Sequence, residues 1–251
     1  MAKSLSLNPK HLVPFIPNMI TLMAMCLGLT ALRLSYIRED IYYSLILLLI
    51  AAILDGIDGK VARRLKVESP VGAQLDSLAD FLNFCITPAL MVFEWHLKDL
   101  YFFGWAATLI FLVGGAYRLA RFNVMYSTKG TENVSSNYFV GVPTPAGAIL
   151  VFLPIVLELK GFIETTASIY VSLYITFLAF LMISHIKTPS NRLLSFSKKM
   201  APVGISLIAA IIVGFIYMPF AMYLGVVTVY FSTTLFLFFK DDLYRRKAAK
   251  G

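Results

Sequence analysis

Long uncharged runs are the feature that most constrains this chain. Residues 12–32 and 200–239 contain no Lys, Arg, Asp or Glu. A helix needs about 20 apolar residues to cross the hydrocarbon core of a bilayer, so each run is long enough to span a membrane. Of all 251 residues, 59% are hydrophobic and 14% are charged, which is too apolar for an ordinary soluble domain. The sequence therefore predicts an all-α integral membrane protein.

Charged and turn-forming residues divide the chain into about eight helical spans. The run at 200–239 is twice as long as one crossing, and Pro219 splits it into a helical hairpin. We expect one domain over residues 1–251, with a core at about 12–187 and this hairpin after it. A polar loop is expected from Met125 to Tyr138. The other predicted spans are residues 12–32, 41–63, 70–93, 100–123, 143–159 and 165–185.

Lys and Arg are distributed unevenly around these spans. Basic residues near the ends of spans are retained on the cytoplasmic side. If the N-terminus is inside, only Arg33, Arg38, Lys98 and Lys160 fall on outer segments, and the other 18 of the 22 Lys and Arg residues fall on inner ones. We therefore expect a protein of the cytoplasmic membrane with both termini in the cytoplasm. This bias explains the net charge of +8, and no basic face or motif predicts nucleic-acid binding.

Four aspartates lie inside segments that are otherwise typical of membrane spans. A charged side chain at the bilayer centre costs about 2.5 to 3.5 kcal/mol on insertion scales and usually marks a functional site. Asp55 and Asp58 lie one turn apart on the second predicted helix, and Asp76 and Asp80 lie one turn apart on the third. We expect the two helices to face each other, which brings the four carboxylates together near the cytoplasmic surface.

Clustered carboxylates suit a hard divalent cation. Oxygen atoms are the ligands that Mg²⁺ and Mn²⁺ prefer, and four aspartates are enough to share two ions. Gly59, Ala62 and Gly72 lie among the acids and would let a bulky ligand reach the backbone, although small residues also serve close helix packing. Arg63 offers a guanidinium fork to phosphate oxygens. Together these residues suggest a diphosphate substrate.

The complete pattern is D-x2-D-G-x2-A-R-x8-G-x3-D-x3-D. At all eight specified positions it resembles the signature of the CDP-alcohol phosphotransferases. The resemblance implies transfer of a substituted phosphate from a CDP-linked donor to an alcohol, with release of CMP. It also implies a homodimer, which is common in the family. The matching residues are Asp55, Asp58, Gly59, Ala62, Arg63, Gly72, Asp76 and Asp80.

The same resemblance implies a role for each residue of the signature. Asp55, Asp58 and Asp76 would hold a pair of Mg²⁺ or Mn²⁺ ions, with Asp80 at their edge. Asp80 would also be the general base that takes the proton from the acceptor hydroxyl. The nucleotide and diphosphate pocket would include two residues of the sequence P-N-x-x-T at positions 17–21, and would consist of Asn18, Thr21, Gly59, Ala62, Arg63 and Gly72.

Two further motifs resemble the phosphatidylserine synthases, one branch of this family. They are RLARFN at residues 118–123 and YFVGVPTPA at residues 138–146. The resemblance implies CDP-diacylglycerol, a membrane lipid, as donor and L-serine as acceptor. Arg118, Arg121 and Asn123 are then candidates for binding the acceptor or a lipid phosphate. For the two arginines, anchoring under the positive-inside rule is the alternative.

Two other functions are open at this point. A family member that uses glycerol phosphate or an inositol phosphate should carry more clustered basic residues, because a phosphate dianion needs more than one arginine. Intramembrane carboxylates also bind the translocated cation in transporters. Against a transporter, the aspartates gather at one membrane face and the sequence has no visible inverted repeat.

Overall fold

The computed structural model describes residues 15–37, 41–133, 138–162, 168–184, 187–189 and 217–248. Within these ranges the regular elements are helices, apart from two three-residue strands. It divides into two compact units, which are described separately. The first unit comprises Met1–Ala120 and Thr144–Ala179, and the second comprises Arg121–Pro143 and Phe180–Gly251.

Two long helices form the base of the first unit. Helix α1 (Phe15–Ser35) packs along helix α2 (Ile41–Leu65). The face that each helix buries repeats every three or four residues, as helical geometry requires. Small side chains dominate the buried face of α1 and allow close approach: Pro17, Thr21, Ala24, Gly28, Ala31 and Ser35. The buried face of α2 ends in the two acids: Ile41, Ser44, Leu48, Ala51, Asp55 and Asp58.

A tight turn joins α2 to helix α3 (Pro70–Phe81). The N–H of Lys66 donates to the Arg63 carbonyl (3.2 Å) and the N–H of Val67 to the Ala62 carbonyl (3.0 Å), which is the hydrogen-bond pattern of a Schellman C-cap. Lys66 adopts the positive φ of 57° that this cap needs. Ser69 then caps α3 by accepting from the Gly72 N–H (3.0 Å). The turn is therefore short enough to set α2 and α3 side by side.

Helix α3 does not end where its α-helical hydrogen bonds change. It continues through a π-helical turn (Leu82–Ile86), helix α4 (Thr87–Val92) and a second π-helical turn (Phe93–Leu97). Pro88, the second residue of α4, cannot donate a helical hydrogen bond. The helical segment is thus four residues longer than the predicted 70–93.

A reversal at residues 98–101 separates this segment from helix α5 (Tyr101–Asn133). Tyr101 has a positive φ of 47°, and a Cβ on Gly104 would collide with the carbonyl group of Leu97. The predicted loop from Met125 is wrong at its start, because α5 continues to Asn133. The residues after Met125 are polar and lower the local hydropathy, but polar residues can continue a helix beyond its apolar part.

Among the described residues, the next three helices after α5 are all shorter than it. Helices α6 (Thr144–Val151) and α7 (Leu153–Leu159) lie in the first unit, and helix α8 (Ser168–Ile183) begins there. Glu158 near the end of α7 accepts a hydrogen bond from the Trp95 indole and lies 3.3 Å from His96 Nε2. This contact fixes α7 to the second π turn.

The second unit contains the strands. Strand β1 (Tyr138–Val140) pairs antiparallel with strand β2 (Lys187–Pro189), with Phe139 opposite Thr188. Helix α9 (Pro219–Ala248) begins at the proline that was predicted to split the uncharged run into a hairpin, and it runs past the predicted end at 239. The first arm of that hairpin lies outside the described residues.

Two helical stretches within the described ranges are long and apolar enough to cross a membrane, Phe15–Ser35 and Pro70–Met125. Many large apolar side chains on the helices face outward, among them Phe103 at 75% and Val113 at 64% exposure. Such a surface is expected to contact lipid. The chain is therefore a helical integral membrane protein, and its number of crossings and the side of its termini stay predictions.

Candidate active site

Helices α2 and α3 bring three aspartates together. Carboxylate oxygens of Asp55, Asp58 and Asp76 all lie within 4.8 Å of one another. Asp55 and Asp58 are buried on α2, whereas Asp76 on α3 is half-buried. The i, i+3 spacing on α2 and the capped turn before α3 create this cluster from two short sequence segments.

Asp80 joins the cluster through Asp55. Their carboxyl groups lie next to each other. Two carboxylates this close repel each other unless a proton or a cation lies between them. In addition, Oδ1 of Asp55 is buried without a hydrogen-bond partner in the described part of the chain. An unsatisfied carboxylate oxygen beside three other carboxyl groups fits a divalent cation with oxygen ligands.

Helix α1 contributes to the same site through Thr21. The Thr21 hydroxyl donates a hydrogen bond to Oδ2 of Asp58, and it also lies 3.1 Å from the Pro17 carbonyl oxygen. The Gly59 N–H donates to the other oxygen of Asp58. Both oxygens of this carboxylate are therefore oriented by neighbouring groups.

Asn18 and Gly72 meet where α1 crosses the start of α3. A Cβ on Gly72 would lie 2.9 Å from Asn18 Oδ1 and 3.1 Å from Ser69 Oγ, so only glycine fits without a shift. Gly59 is less constrained, because a Cβ there would approach Arg63 Nη1 at an ordinary 3.5 Å. Every residue that was predicted for the metal and nucleotide sites lies on one of the three helices α1, α2 and α3.

Two arginines of the first unit act on the cluster. The charge of Arg63, which is exposed, acts on Asp58 and Asp76. Arg118 on α5 is only 6% exposed, and its charge acts on Asp80. One exposed and one buried guanidinium therefore act on different aspartates of the cluster.

The two remaining candidates belong to the second unit. Arg121 donates to the carbonyl oxygens of Ile183 (3.1 Å) and Ser184 (3.4 Å). Asn123 is exposed. The structure gives Arg121 partners on the main chain at the end of α8, which the sequence pattern did not indicate.

Sequence reasoning missed one polar residue near the cluster. Asn83 lies on the first π turn, is fully buried, and has no hydrogen-bond partner for its amide in the described part of the chain. Its side chain packs against Gly28 of α1, where a Cβ would collide with Oδ1. The only sequence signal was its position three residues after Asp80 on the same helix.

The arrangement combines a cation site with two guanidinium groups. Four carboxyl groups suit divalent cations, and cations together with arginine suit the oxygens of a diphosphate. A carboxyl group at the edge of the cluster, next to a buried arginine, is suited to hold a polar acceptor and take its proton.

Comparison with known proteins agrees with this chemistry. Residues 14–178 match the model of the CDP-alcohol phosphatidyltransferase family. The chain is 32% identical over 216 residues to the CDP-diacylglycerol–serine O-phosphatidyltransferase of Mycobacterium leprae, which covers 86% of this chain and 71% of the relative. It is 34% identical over 198 residues to the enzyme of that name from Helicobacter pylori, covering 77% and 78%.

A third relative has the same name and comes from Bacillus subtilis. It is 32% identical over 176 residues, which is 70% of this chain and 90% of the relative. The match to the family model spans more than half of the chain and includes all four aspartates. The chain therefore belongs to the CDP-alcohol phosphatidyltransferase family.

Proposed function

We propose that this protein transfers the phosphatidyl group from CDP-diacylglycerol to L-serine. The serine hydroxyl oxygen forms a bond to the phosphorus that carries the lipid, and the bond between that phosphorus and the bridging oxygen breaks. The bridging oxygen leaves with CMP, and the hydroxyl proton goes to Asp80. The observation that carries the proposal is the cluster of Asp55, Asp58 and Asp76 with Asp80 in contact.

Asp55, Asp58 and Asp76 would hold the divalent cations, with Asp80 at their edge. Their oxygens have the chemistry and the spacing for Mg²⁺ or Mn²⁺, and the buried Asp55 Oδ1 is in need of a partner. Two bound ions would neutralise charge on the diphosphate and on the departing CMP. Thr21 and Gly59 keep Asp58 oriented for this purpose.

Asp80 is the proposed general base. It lies beside the cluster, and the charge of Arg118 acts on it. A serine held by Arg118 would then have its hydroxyl within reach of this carboxylate and of the reacting phosphorus. The buried Arg118 would bind the carboxylate of serine in a bidentate manner. Asn123, exposed on the second unit, stays a candidate from the sequence pattern alone.

The nucleotide and diphosphate would lie over the start of α3. Gly72, Gly59 and Ala62 have no side chain beyond Cβ, which leaves the backbone accessible. Asn18 borders this surface at Gly72, and the exposed Arg63 can turn toward phosphate oxygens without losing a buried contact.

We place the site on the cytoplasmic side of the cytoplasmic membrane, on the basis of the Lys and Arg distribution. Serine and CMP would then exchange with the cytosol while the acyl chains stay in the bilayer. A cysteine at the exposed position Glu68 tests this orientation. Relative to the unsubstituted chain, Glu68→Cys should react with a membrane-impermeant thiol reagent in inverted vesicles and not in intact cells.

The serine assignment is supported by the three relatives named above, each of which is a CDP-diacylglycerol–serine O-phosphatidyltransferase. It is tested by an acceptor screen with purified protein, CDP-diacylglycerol and Mn²⁺ or Mg²⁺, with CMP release as the signal. We expect release with L-serine. Release only with glycerol phosphate or an inositol would overturn the acceptor, and a cation flux without any release would favour a transporter.

Asp80→Asn tests the proposed base. General-base catalysis contributes about 100- to 10,000-fold, so the variant should lose at least about 100-fold in turnover while it keeps its fold. Asp99→Asn, which changes an exposed aspartate in the turn before α5, is the matched control and should retain activity. Normal turnover in Asp80→Asn would remove Asp80 from the reaction.

A further inference from the structure

The Arg121 guanidinium is directed at the C-terminal end of α8. Its Nη1 donates to the Ile183 carbonyl oxygen (3.1 Å) and its Nη2 to that of Ser184 (3.4 Å). The last carbonyl groups of a helix have no partner within the helix and carry the negative end of its dipole. A cation with several N–H donors satisfies both needs. Arg121 therefore caps α8.

Gly141 lies against the same helix end. Its φ is +79°, in the region that favours glycine, and a Cβ there would collide with the Met182 carbonyl oxygen. The same Cβ would lie 2.9 Å from the Ser184 carbonyl oxygen and 3.2 Å from Arg121 Nη2. Gly141 thus packs against the Ser184 carbonyl oxygen that also accepts from Arg121, and a larger residue at position 141 has no space there.

The neighbours of Gly141 extend this contact. The Val142 N–H donates to the Leu181 carbonyl oxygen (3.2 Å), and Val140 in β1 pairs with Lys187 in β2. The segment before α6 is therefore fastened to the end of α8 and to the strand that follows it. We call Arg121, Gly141 and the carbonyl groups of residues 181–184 the α8 latch.

We infer that Arg121 is a positioning residue that closes the α8 latch. Of the two arginines in RLARFN, only Arg118 then binds the carboxylate of the acceptor. The inference rests on the proposed function, in which serine is the acceptor. Arg121 would have to give up both main-chain hydrogen bonds to bind a carboxylate. Arg118, in contrast, is buried on α5 in the same compact unit as the four aspartates.

The test separates stability from acceptor binding in detergent-solubilised protein. Arg121→Ala should lower the melting temperature by roughly 4 to 8 °C and leave the serine KM within about twofold. Arg121→Lys should recover part of the melting temperature, since an ammonium group still interacts with the helix end. Arg118→Lys should raise the serine KM by about tenfold or more with little change in melting temperature. Arg33→Ala, at an exposed arginine on α1, controls for the loss of one charge.

A double-mutant cycle tests the shared contact from its other side. Gly141→Ala should lower the melting temperature as Arg121→Ala does, and the double variant should lose less than the sum of the two. Additive losses, or a serine KM raised in Arg121→Ala and Arg121→Lys at unchanged melting temperature, would overturn the inference. If the wild-type protein transfers nothing to serine, the proposed function fails, while the melting temperatures still decide whether the latch exists.

Discussion

The contact between Thr21 and Asp58 provides a sensitive test of the metal site. Thr21→Val keeps the shape of the side chain and removes the hydroxyl that donates to Asp58. The lost contact with the Pro17 carbonyl is a minor change, because that oxygen can also accept from the helix backbone. The substitution therefore affects the orientation of one carboxylate and little else.

The size of the effect follows from the kind of bond that is lost. A hydrogen bond to a charged group contributes about 1.5 to 3 kcal/mol, which corresponds to roughly 10- to 100-fold in an equilibrium constant. Removal of a group that orients a metal ligand typically weakens metal affinity by about the same factor. Asp58 retains the Gly59 N–H, so the lower half of this range is expected.

Mn²⁺ is the probe, because free Mn²⁺ can be measured by electron paramagnetic resonance without reference to activity. We expect the Mn²⁺ dissociation constant and the Mn²⁺ concentration for half-maximal CMP release to rise together in Thr21→Val. Thr30→Val is the matched control: Thr30 is exposed on the same helix and also donates to the carbonyl four residues earlier (Cys26, 2.7 Å). Unchanged Mn²⁺ binding in Thr21→Val would refute the assignment of Asp58 as an oriented metal ligand.

Three further substitutions test the packing around the site. Gly72→Ala forces a Cβ against Asn18, and should raise the KM for CDP-diacylglycerol more than that for serine, measured by CMP release. Gly28→Ala should lower the melting temperature, because the added Cβ collides with the Asn83 side chain. Adding Asn83→Ala to the same chain should restore part of the loss, and purely additive losses would contradict the contact. Lys66→Gly should raise the melting temperature by a few degrees, since a positive φ of 57° costs about 1 kcal/mol in a residue with a side chain. A melting temperature below that of the wild-type protein would show instead that the lysine side chain stabilises the turn.

The spacing of the aspartates predicted the geometry of the candidate site. Residues three or four apart must share a helix face, and the apolar pattern around Asp55 and Asp58 identified their helix. The partner of Asp58 was beyond such reasoning. Thr21 lies 37 residues earlier in the chain, and only the packing of α1 on α2 determines that its hydroxyl faces that carboxylate.

Other features depend on tertiary structure in the same way. Apart from Pro88, no residue near Asp80 predicts the π turns that follow it. A π turn holds more residues than an α-helical turn, and packing against neighbouring helices, which the sequence does not display, decides whether it forms. The pairing of Val140 with Lys187 joins two segments that hydropathy treats as unrelated. For Arg121, the sequence predicted a position at the end of a helix near the acceptor. The structure shows that its guanidinium donates to a carbonyl group of α8, which the sequence did not predict.

The most direct test of the central claim is the stoichiometry of the reaction in vesicles that contain the purified protein and CDP-diacylglycerol. We expect phosphatidylserine and CMP to form in equal amounts, only when L-serine and Mg²⁺ or Mn²⁺ are both present, and to be lost in Asp80→Asn. CMP release that is independent of serine, or a lipid product with a different head group, would contradict the account.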